Sequence, residues 1–496
     1  MWNNWKPAAL LGAVSSLLLT TNADHTSTIK WSNCSSTAAP RLECGSLDVP
    51  INWNEPNGSQ TTIGFQRLKA LNATARIGPL FFNPGGPGGI ASAFITATAQ
   101  GDPILGEKLN EYFDLIGPDP RGIGISTPIL CDPDLWNKRV PAFPKTESEW
   151  QELVAYNEEL GKSCRNLTGL LFEHVDTLSV AKDFEAVRVA LGGEKLNFLG
   201  LSYGTQLGAT YAELYPQNIR AMVLDGNMDH SQSETSTLVA ESSTYETVLN
   251  RFAEWCTRNS TCALYERDVL QIFDDLVATA TKTPISAPAC KVSGACRSNV
   301  TGDDIRINAQ TYLLFEEANA AFGLPGWTAL GTALNDSLNG NASMLSTALA
   351  TDETDRNFPG RAVSCLDWTH GTKSLSELLY KEQLGKTVSP HTQGATQTWG
   401  IQTNCIGWPA PVQYPPRYYD ENIKNAPPIL MVNALYDPST SIVWANGALG
   451  QIPSATLLVR SGNGHTSYLL FGEATSAMQD YLITLERPAP NSIVNS

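Results

Sequence analysis

Short apolar runs alternate along this chain with longer segments whose apolar residues recur at helical spacing. Gly78–Asn83, 113–119, Leu196–Leu201 and 219–224 are short, largely apolar and set off by turn-forming residues. Such runs read as strands buried on both faces. Between the second and third lies 177–191, where Val180, Phe184, Val187 and Leu191 share one helical face and Gly192-Gly193 marks the stop. Residues 61–71 alternate loosely as a strand, and 145–175 read as a polar helix. Strands alternating with helices predict a doubly wound, mostly parallel sheet of the α/β class. The rhythm breaks after Asp225. From 229 to 350 the pattern is helical, with Tyr245, Val248, Leu249, Phe252 and Trp255 in one stripe and further helices expected over 312–322 and Trp327–Leu338. Residues 351–425 read as irregular. Strands at 428–433 and 455–459 and helices at 441–449 and 467–485 restore the rhythm. The expected organisation is a core built from 24–228 and 425–496, with 229–424 inserted as a helical cap and an irregular return segment.

The N-terminus adds a compartment. Lys6 precedes an apolar run, 8–19, too short to span a bilayer, and Thr21-Asn22-Ala23 supplies small residues. That is a signal-peptide pattern, with 1–23 removed. The ten cysteines suit the same reading, a secreted, extracellular protein with disulfides. Pairing neighbours in order gives Cys34–Cys44, Cys131–Cys164, Cys256–Cys262, Cys290–Cys296 and Cys365–Cys405. Each bridge adds ~2–4 kcal/mol. No Cys-x₂-Cys pair or histidine cluster suggests zinc, so no metal or cofactor is expected. Asn-x-Ser/Thr sequons stand at Asn33, Asn57, Asn72, Asn166, Asn259, Asn299, Asn335 and Asn341, candidates for glycosylation. A net charge of −16 argues against nucleic acid or an anionic membrane as partner. A monomer acting on a peptide or small ester is the expectation.

The chemistry centres on Gly200-Leu201-Ser202-Tyr203-Gly204, a G-x-S-x-G turn between a strand and a helix. Small residues two before and two after let strand and helix close tightly, which exposes the serine hydroxyl at a helix N-terminus. A serine hydroxyl is a weak nucleophile and needs a base, an orienter and an oxyanion site. Of six histidines, His465 directly follows the last strand, in a glycine-rich loop. Asp437 follows the preceding strand, so Ser202, Asp437 and His465 have the chain order of an α/β hydrolase. For the oxyanion, the N–H of Tyr203 is one expected donor. The other comes from Pro84-Gly-Gly-Pro-Gly-Gly89, where the prolines cannot donate and Gly86 is favoured.

Taken together, Asn83-Pro-Gly-Gly-Pro-Gly-Gly89, Asp119-Pro-Arg-Gly-Ile-Gly-Ile-Ser126, Gly200-Leu-Ser-Tyr-Gly-Thr205, Ser364-Cys-Leu-Asp367, Asp437-Pro-Ser-Thr440 and Gly464-His465 resemble the secreted tripeptidyl aminopeptidase family. That family is related to the proline iminopeptidases within the α/β-hydrolase superfamily. The resemblance spans about residues 40–485. It implies an α/β-hydrolase fold with a helical cap, a Ser202–Asp437–His465 triad, an oxyanion hole from Gly86 and Tyr203, and release of short peptides from free N-termini. Carboxylates for the substrate's ammonium are then expected on cap helices, with Glu241, Glu246, Glu316 and Glu317 as candidates. Asp119 and Arg121 are expected to brace the loop beside the oxyanion strand. The same machinery would serve an esterase, lactonase or thioesterase, and a catalytically inactive binding protein is the remaining alternative.

Overall fold

The computed structural model describes residues 28–34, 39 and 41–495. The expected signal peptide, 1–23, lies outside the described residues. The strands that precede the cap are β1 (Lys30–Ser32), β2 (Leu42–Pro50), β3 (Gln60–Leu68), β4 (Gly78–Asn83), β5 (Phe113–Pro118), β6 (Leu196–Leu201) and β7 (Ile219–Asp225). Within the cap, β8 (Ile285–Ser286) and β9 (Asn299–Val300) form a small ribbon. After it come β10 (Ile429–Tyr436), β11 (Ala455–Asn463) and β12 (Ser492–Asn495).

The main sheet runs β1-β2-β3-β5-β4-β6-β7-β10-β11-β12. β1, β2 and β3 pair antiparallel, as does β3 with β5; every pair from β5 to β12 is parallel. Side chains alternate between two cores, as strand geometry requires. Phe81, Phe198, Met222, Leu224 and Met431 enter one core, while Phe82, Leu199, Leu201, Val223 and Val432 enter the other. Both faces are covered, which is why these strands are apolar runs without polar alternation. Chain order reverses at β4, with β5 on one side and β6 on the other. The loops leaving β4 and β6 therefore lie side by side at a topological switch point, where open parallel sheets place their ligands.

Helices Glu234–Arg258, Val269–Lys282, Gly302–Leu313 and Trp327–Leu338 make a separate apolar core around Tyr245, Leu249, Phe252, Phe273 and Trp327. Two expectations are corrected here. The helix expected over 312–322 is instead Gly302–Leu313, begun by a Thr301–Asp304 capping box. Residues 314–326 leave it as a loop, so Glu316 and Glu317 are not on a helix. The stretch expected to be irregular holds helices Asn357–Asp367, Leu375–Val388 and Gln397–Cys405. The apolar periodicity of the last two is weak. Side-chain caps at Ser374 and Thr396 and the Cys365–Cys405 bridge support them instead.

Five disulfides join consecutive cysteines: Cys34–Cys44, Cys131–Cys164, Cys256–Cys262, Cys290–Cys296 and Cys365–Cys405. No described helix is long and apolar enough to cross a membrane. Arg121 is fully buried, with its guanidinium forked on Asp183 (2.6 Å twice) and on the main-chain oxygens of Pro50, Ile51 and His174. Asp119 accepts from Ser92 N–H and Oγ–H and from Ile125 N–H. Asp119 thus ties the loop after β5 to the segment that follows the glycine loop, and Arg121 ties the same loop to the end of β2 and to helix Thr177–Ala190.

Candidate active site

Ser202 sits between β6 and helix Tyr203–Leu214 with φ 56° and ψ −124°. A non-glycine residue holds such a backbone only where its surroundings enforce it. Two glycines make the turn possible. A Cβ at Gly200 would lie 2.4 Å from the Gly204 oxygen, and one at Gly204 would lie 2.8 Å from the Asn83 oxygen. Ser202 N–H donates to the main-chain oxygen of Asp225 at 2.8 Å, which ties the turn to β7.

The glycine loop after β4 lies against this turn. Gly85 N–H donates to Asn83 Oδ1 (3.0 Å), and Gly89 N–H donates to the Gly85 oxygen (3.0 Å). Pro84 and Pro87 have no N–H, so Gly86 and Gly88 carry the remaining donors. Gly86 lines the same cavity as Ser202, whereas Gly88 faces the main chain at Arg356 and Gly360. Of these two glycines, Gly86 is thus the one that shares the cavity with the serine. A Cβ at Gly85, where φ is 90°, would meet the Leu201 oxygen at 2.4 Å and Ser202 Cβ at 2.8 Å. Gly85→Ala is therefore expected to push the loop off the turn and lower kcat by about 10²-fold or more. Steady-state kinetics beside a thermal melt will check this; an unchanged kcat in folded protein would be inconsistent with the placement.

Tyr203, the other expected donor, is buried and anchored through its side chain. Its hydroxyl meets Thr177 Oγ1 at 2.5 Å, and Thr177 donates to Asp367 through both Oγ1 (2.5 Å) and N–H (2.9 Å). Burial pushes the Asp367 carboxyl well above its usual range, against the Thr177 hydrogen bonds. The Ser364-Cys-Leu-Asp367 motif thus reaches the residue after Ser202.

Asp437 and His465 meet on the neighbouring loops. His465 Nδ1 lies 3.0 Å from each Asp437 oxygen. Oδ1 of Asp437 also accepts from Ser439 N–H and Thr440 N–H, and Oδ2 from Thr440 Oγ1 (2.7 Å) and Thr466 N–H (3.2 Å). One carboxylate therefore makes an Asx-turn and orients the imidazole at once. Burial raises the Asp437 carboxyl, but His465 and the hydrogen bonds around it outweigh burial and hold it below its usual range. Burial lowers the proton affinity of His465, while Asp437, then Asp225 and Glu241, more than restore it, to above the ordinary 6.5. His465 N–H donates to the Leu314 oxygen at 2.6 Å, so the cap loop holds the histidine's backbone.

Ser202, His465, Gly85 and Gly86 open onto one cavity of about 210 Å³. Phe94, Leu314, Phe315, Phe322 and Leu324 supply its apolar lining, with Gln397 and Ser439 among the polar contributors. Among the described residues, no carboxylate lines it. Of the described histidines, only His465 does; His230, for example, is buried against Tyr414, where burial lowers its pKa to about 4.

The four glutamates expected to meet a substrate ammonium lie elsewhere. Glu241 is buried and caps helix Gln397–Cys405, accepting from Gln397 N–H (3.3 Å), Thr398 N–H (2.8 Å) and Gln310 Nε2 (2.8 Å). Glu246 accepts from the N–H groups of His391 and Thr392. Glu316 accepts from Asn463 Nδ2 at 2.9 Å, and Glu317 is exposed. None of the four lines the cavity that holds Ser202. A helical stripe shows that a residue faces inward but does not show which neighbour it faces. Sequence reasoning also passed over Asp225, Arg460 and Asn83. The first two carried a visible signal: a charge ending or interrupting an apolar strand.

Residues 78–471 match the α/β-hydrolase fold family. Serine protease Hip1 of Mycobacterium tuberculosis is 28% identical over 463 residues, covering 88% of this chain and 85% of that protein. A tripeptidyl aminopeptidase of Streptomyces lividans is 34% identical over 212 residues, 42% of this chain and 39% of its own length. Carboxylesterase B of Mycobacterium tuberculosis is 27% identical over 463 residues, 88% of this chain and 84% of its own. With the family match running from β4 to beyond His465, the chain belongs to the α/β-hydrolase fold family and is a serine hydrolase within it.

Proposed function

We propose that the protein is an extracellular serine peptidase that releases short peptides, of the tripeptide type, from free N-termini through an acyl-enzyme. One observation carries the chemistry: Ser202, His465 and Gly86 share a cavity, and Asp437 stands behind His465 on Nδ1. With Nδ1 committed to Asp437, Nε2 is the nitrogen that takes the Ser202 proton as Oγ attacks the carbonyl carbon. The N–H groups of Gly86 and Tyr203 receive the developing oxyanion. His465 then returns the proton to the leaving amine, and water releases the acyl group by the same steps. The peptide preference is supported by the relatives named as a serine protease and a tripeptidyl aminopeptidase. Extracellular placement is supported by the disulfides and by sequon asparagines that all reach solvent at least in part.

The apolar lining favours an uncharged, apolar side chain on the residue whose carbonyl is attacked. Peptide amides with leucine or phenylalanine there are expected to exceed those with aspartate or lysine by about tenfold or more in kcat/KM. The same panel with free and acetylated N-termini tests the exopeptidase reading, and equal turnover of both would sink it. An esterase is the second reading, favoured by the apolar lining, which holds no carboxylate among the described residues, and by the relative named carboxylesterase B. Turnover of simple esters with no peptide cleavage would favour it.

A further inference from the structure

One residue touches both halves of the proposed site. Asp225 ends β7. Its main-chain oxygen accepts from Ser202 N–H at 2.8 Å. Its Oδ2 accepts from the N–H groups of Ser467 and Tyr468, at 2.7 Å each, just past His465. Between them and the histidine, Thr466 has φ 58°, a left-handed backbone that a β-branched residue adopts only under constraint. Arg460 on β11 holds the other side of the loop. It donates to the main-chain oxygens of Asn463, Gly464 and Thr466 and to Ser467 Oγ, at 2.9, 2.9, 3.1 and 3.0 Å. Carbonyls of the histidine loop thus face a buried guanidinium, and its amides face a buried carboxylate. The residue after Asp225 adjoins the imidazole, since a Cβ at Gly226 would lie 3.6 Å from His465 Cε1. Asp225 Oδ1 is buried without a hydrogen-bond partner among the described residues.

We propose that Asp225 is a positioning residue: it sets Ser202 and His465 against each other, and its charge supports the imidazolium formed during attack. This rests on the proposed roles of Ser202 and His465. The ionisable groups around His465 are Asp437 after β10, Asp225 on β7 and Glu241 on the cap helix, with Arg460 on β11 against the flanking carbonyls. Burial lifts the Asp225 carboxyl to about 6, against its two amide hydrogen bonds, Arg460 and His465. Above that pH it is an anion, and an anion near His465 favours the protonated ring.

The test is the rate at which a fluorophosphonate labels Ser202, followed against pH, which needs no substrate. Labelling requires neutral His465, so the wild-type rate falls as pH drops through a pKa above 6.5. Asp225→Asn can keep an oxygen facing both amides while losing the charge, and its acid limb is expected at lower pH than wild type. Asp225→Ala also loses both hydrogen bonds, and its labelling rate is expected to fall roughly tenfold or more at every pH. An acid limb in D225N superimposable on wild type, or wild-type labelling of folded D225A, overturns the proposal. If D225A does not fold, the D225N titration decides alone. Absence of Ser202 labelling in the wild-type protein would overturn the proposed function instead.

Discussion

Ser202→Ala is expected to abolish covalent labelling by a fluorophosphonate and to lower kcat by on the order of 10⁴–10⁶. The alanine keeps what the backbone does. Its N–H still reaches the Asp225 oxygen, and its carbonyl still accepts from Thr205 N–H and Oγ1–H, so the turn and the helix start survive. The melting temperature should therefore stay near that of wild type while turnover collapses. The oxyanion donors and the cavity remain, and they account for a residual rate above water. Mass spectrometry of intact labelled protein with peptide mapping gives the site. Label retained in S202A, or found on another residue, would remove Ser202 from the mechanism.

Asp437→Asn is expected to cost about 10⁴ in kcat, with a smaller effect on KM. Every polar neighbour of this carboxylate is a donor: Ser439 N–H, Thr440 N–H and Oγ1–H, Thr466 N–H and, in the working tautomer, His465 Nδ1–H. An amide brings one oxygen and one NH₂ into that ring. If the NH₂ meets Nδ1, the imidazole proton moves to Nε2, and Nε2 can no longer accept from Ser202. If it turns away, it meets the Asx-turn or Thr440, and a buried donor is left unsatisfied at about 1–3 kcal/mol. The variant should therefore lose activity and some stability together, where S202A loses activity alone. Steady-state kinetics with denaturant titrations of both proteins make the comparison. A D437N enzyme within tenfold of wild type would show that another group orients His465.

The legible parts of this protein are those in which a few neighbouring residues settle the geometry. Gly200 and Gly204 announce the tight turn at Ser202, because a side chain at either would collide with backbone. Asp437 and His465 follow consecutive strands of the chain, and the parallel sheet turns that order into proximity. Gly86 followed from the chemistry of its neighbours, since proline cannot donate. Where local signals were thin, the reading failed. Helix Gln397–Cys405 has no clear apolar stripe, and its N-terminus depends on Thr396 and on Glu241, a residue far away in sequence. Glu241 accepts from the start of that helix and from Gln310, contacts that no pattern local to Glu241 records. Placing a helix over 312–322 hid the loop that brings Phe315, Phe322 and Leu324 to the cavity.

By itself, the sequence determined the alternation of strands and helices, the interrupted core, and a serine, an acid, a histidine and a glycine loop in a workable order. These depend on periodicity, on glycine and proline sterics, and on side-chain chemistry, all of which act within a few residues. Only the tertiary structure decided what surrounds the serine: a cavity lined largely by apolar side chains, a capping role for Glu241, and the opposed grip of Asp225 and Arg460 on the His465 loop. Those features arise where strands and cap segments distant in the chain are packed face to face. Which faces meet is set by the burial of whole surfaces, and no local pattern records it.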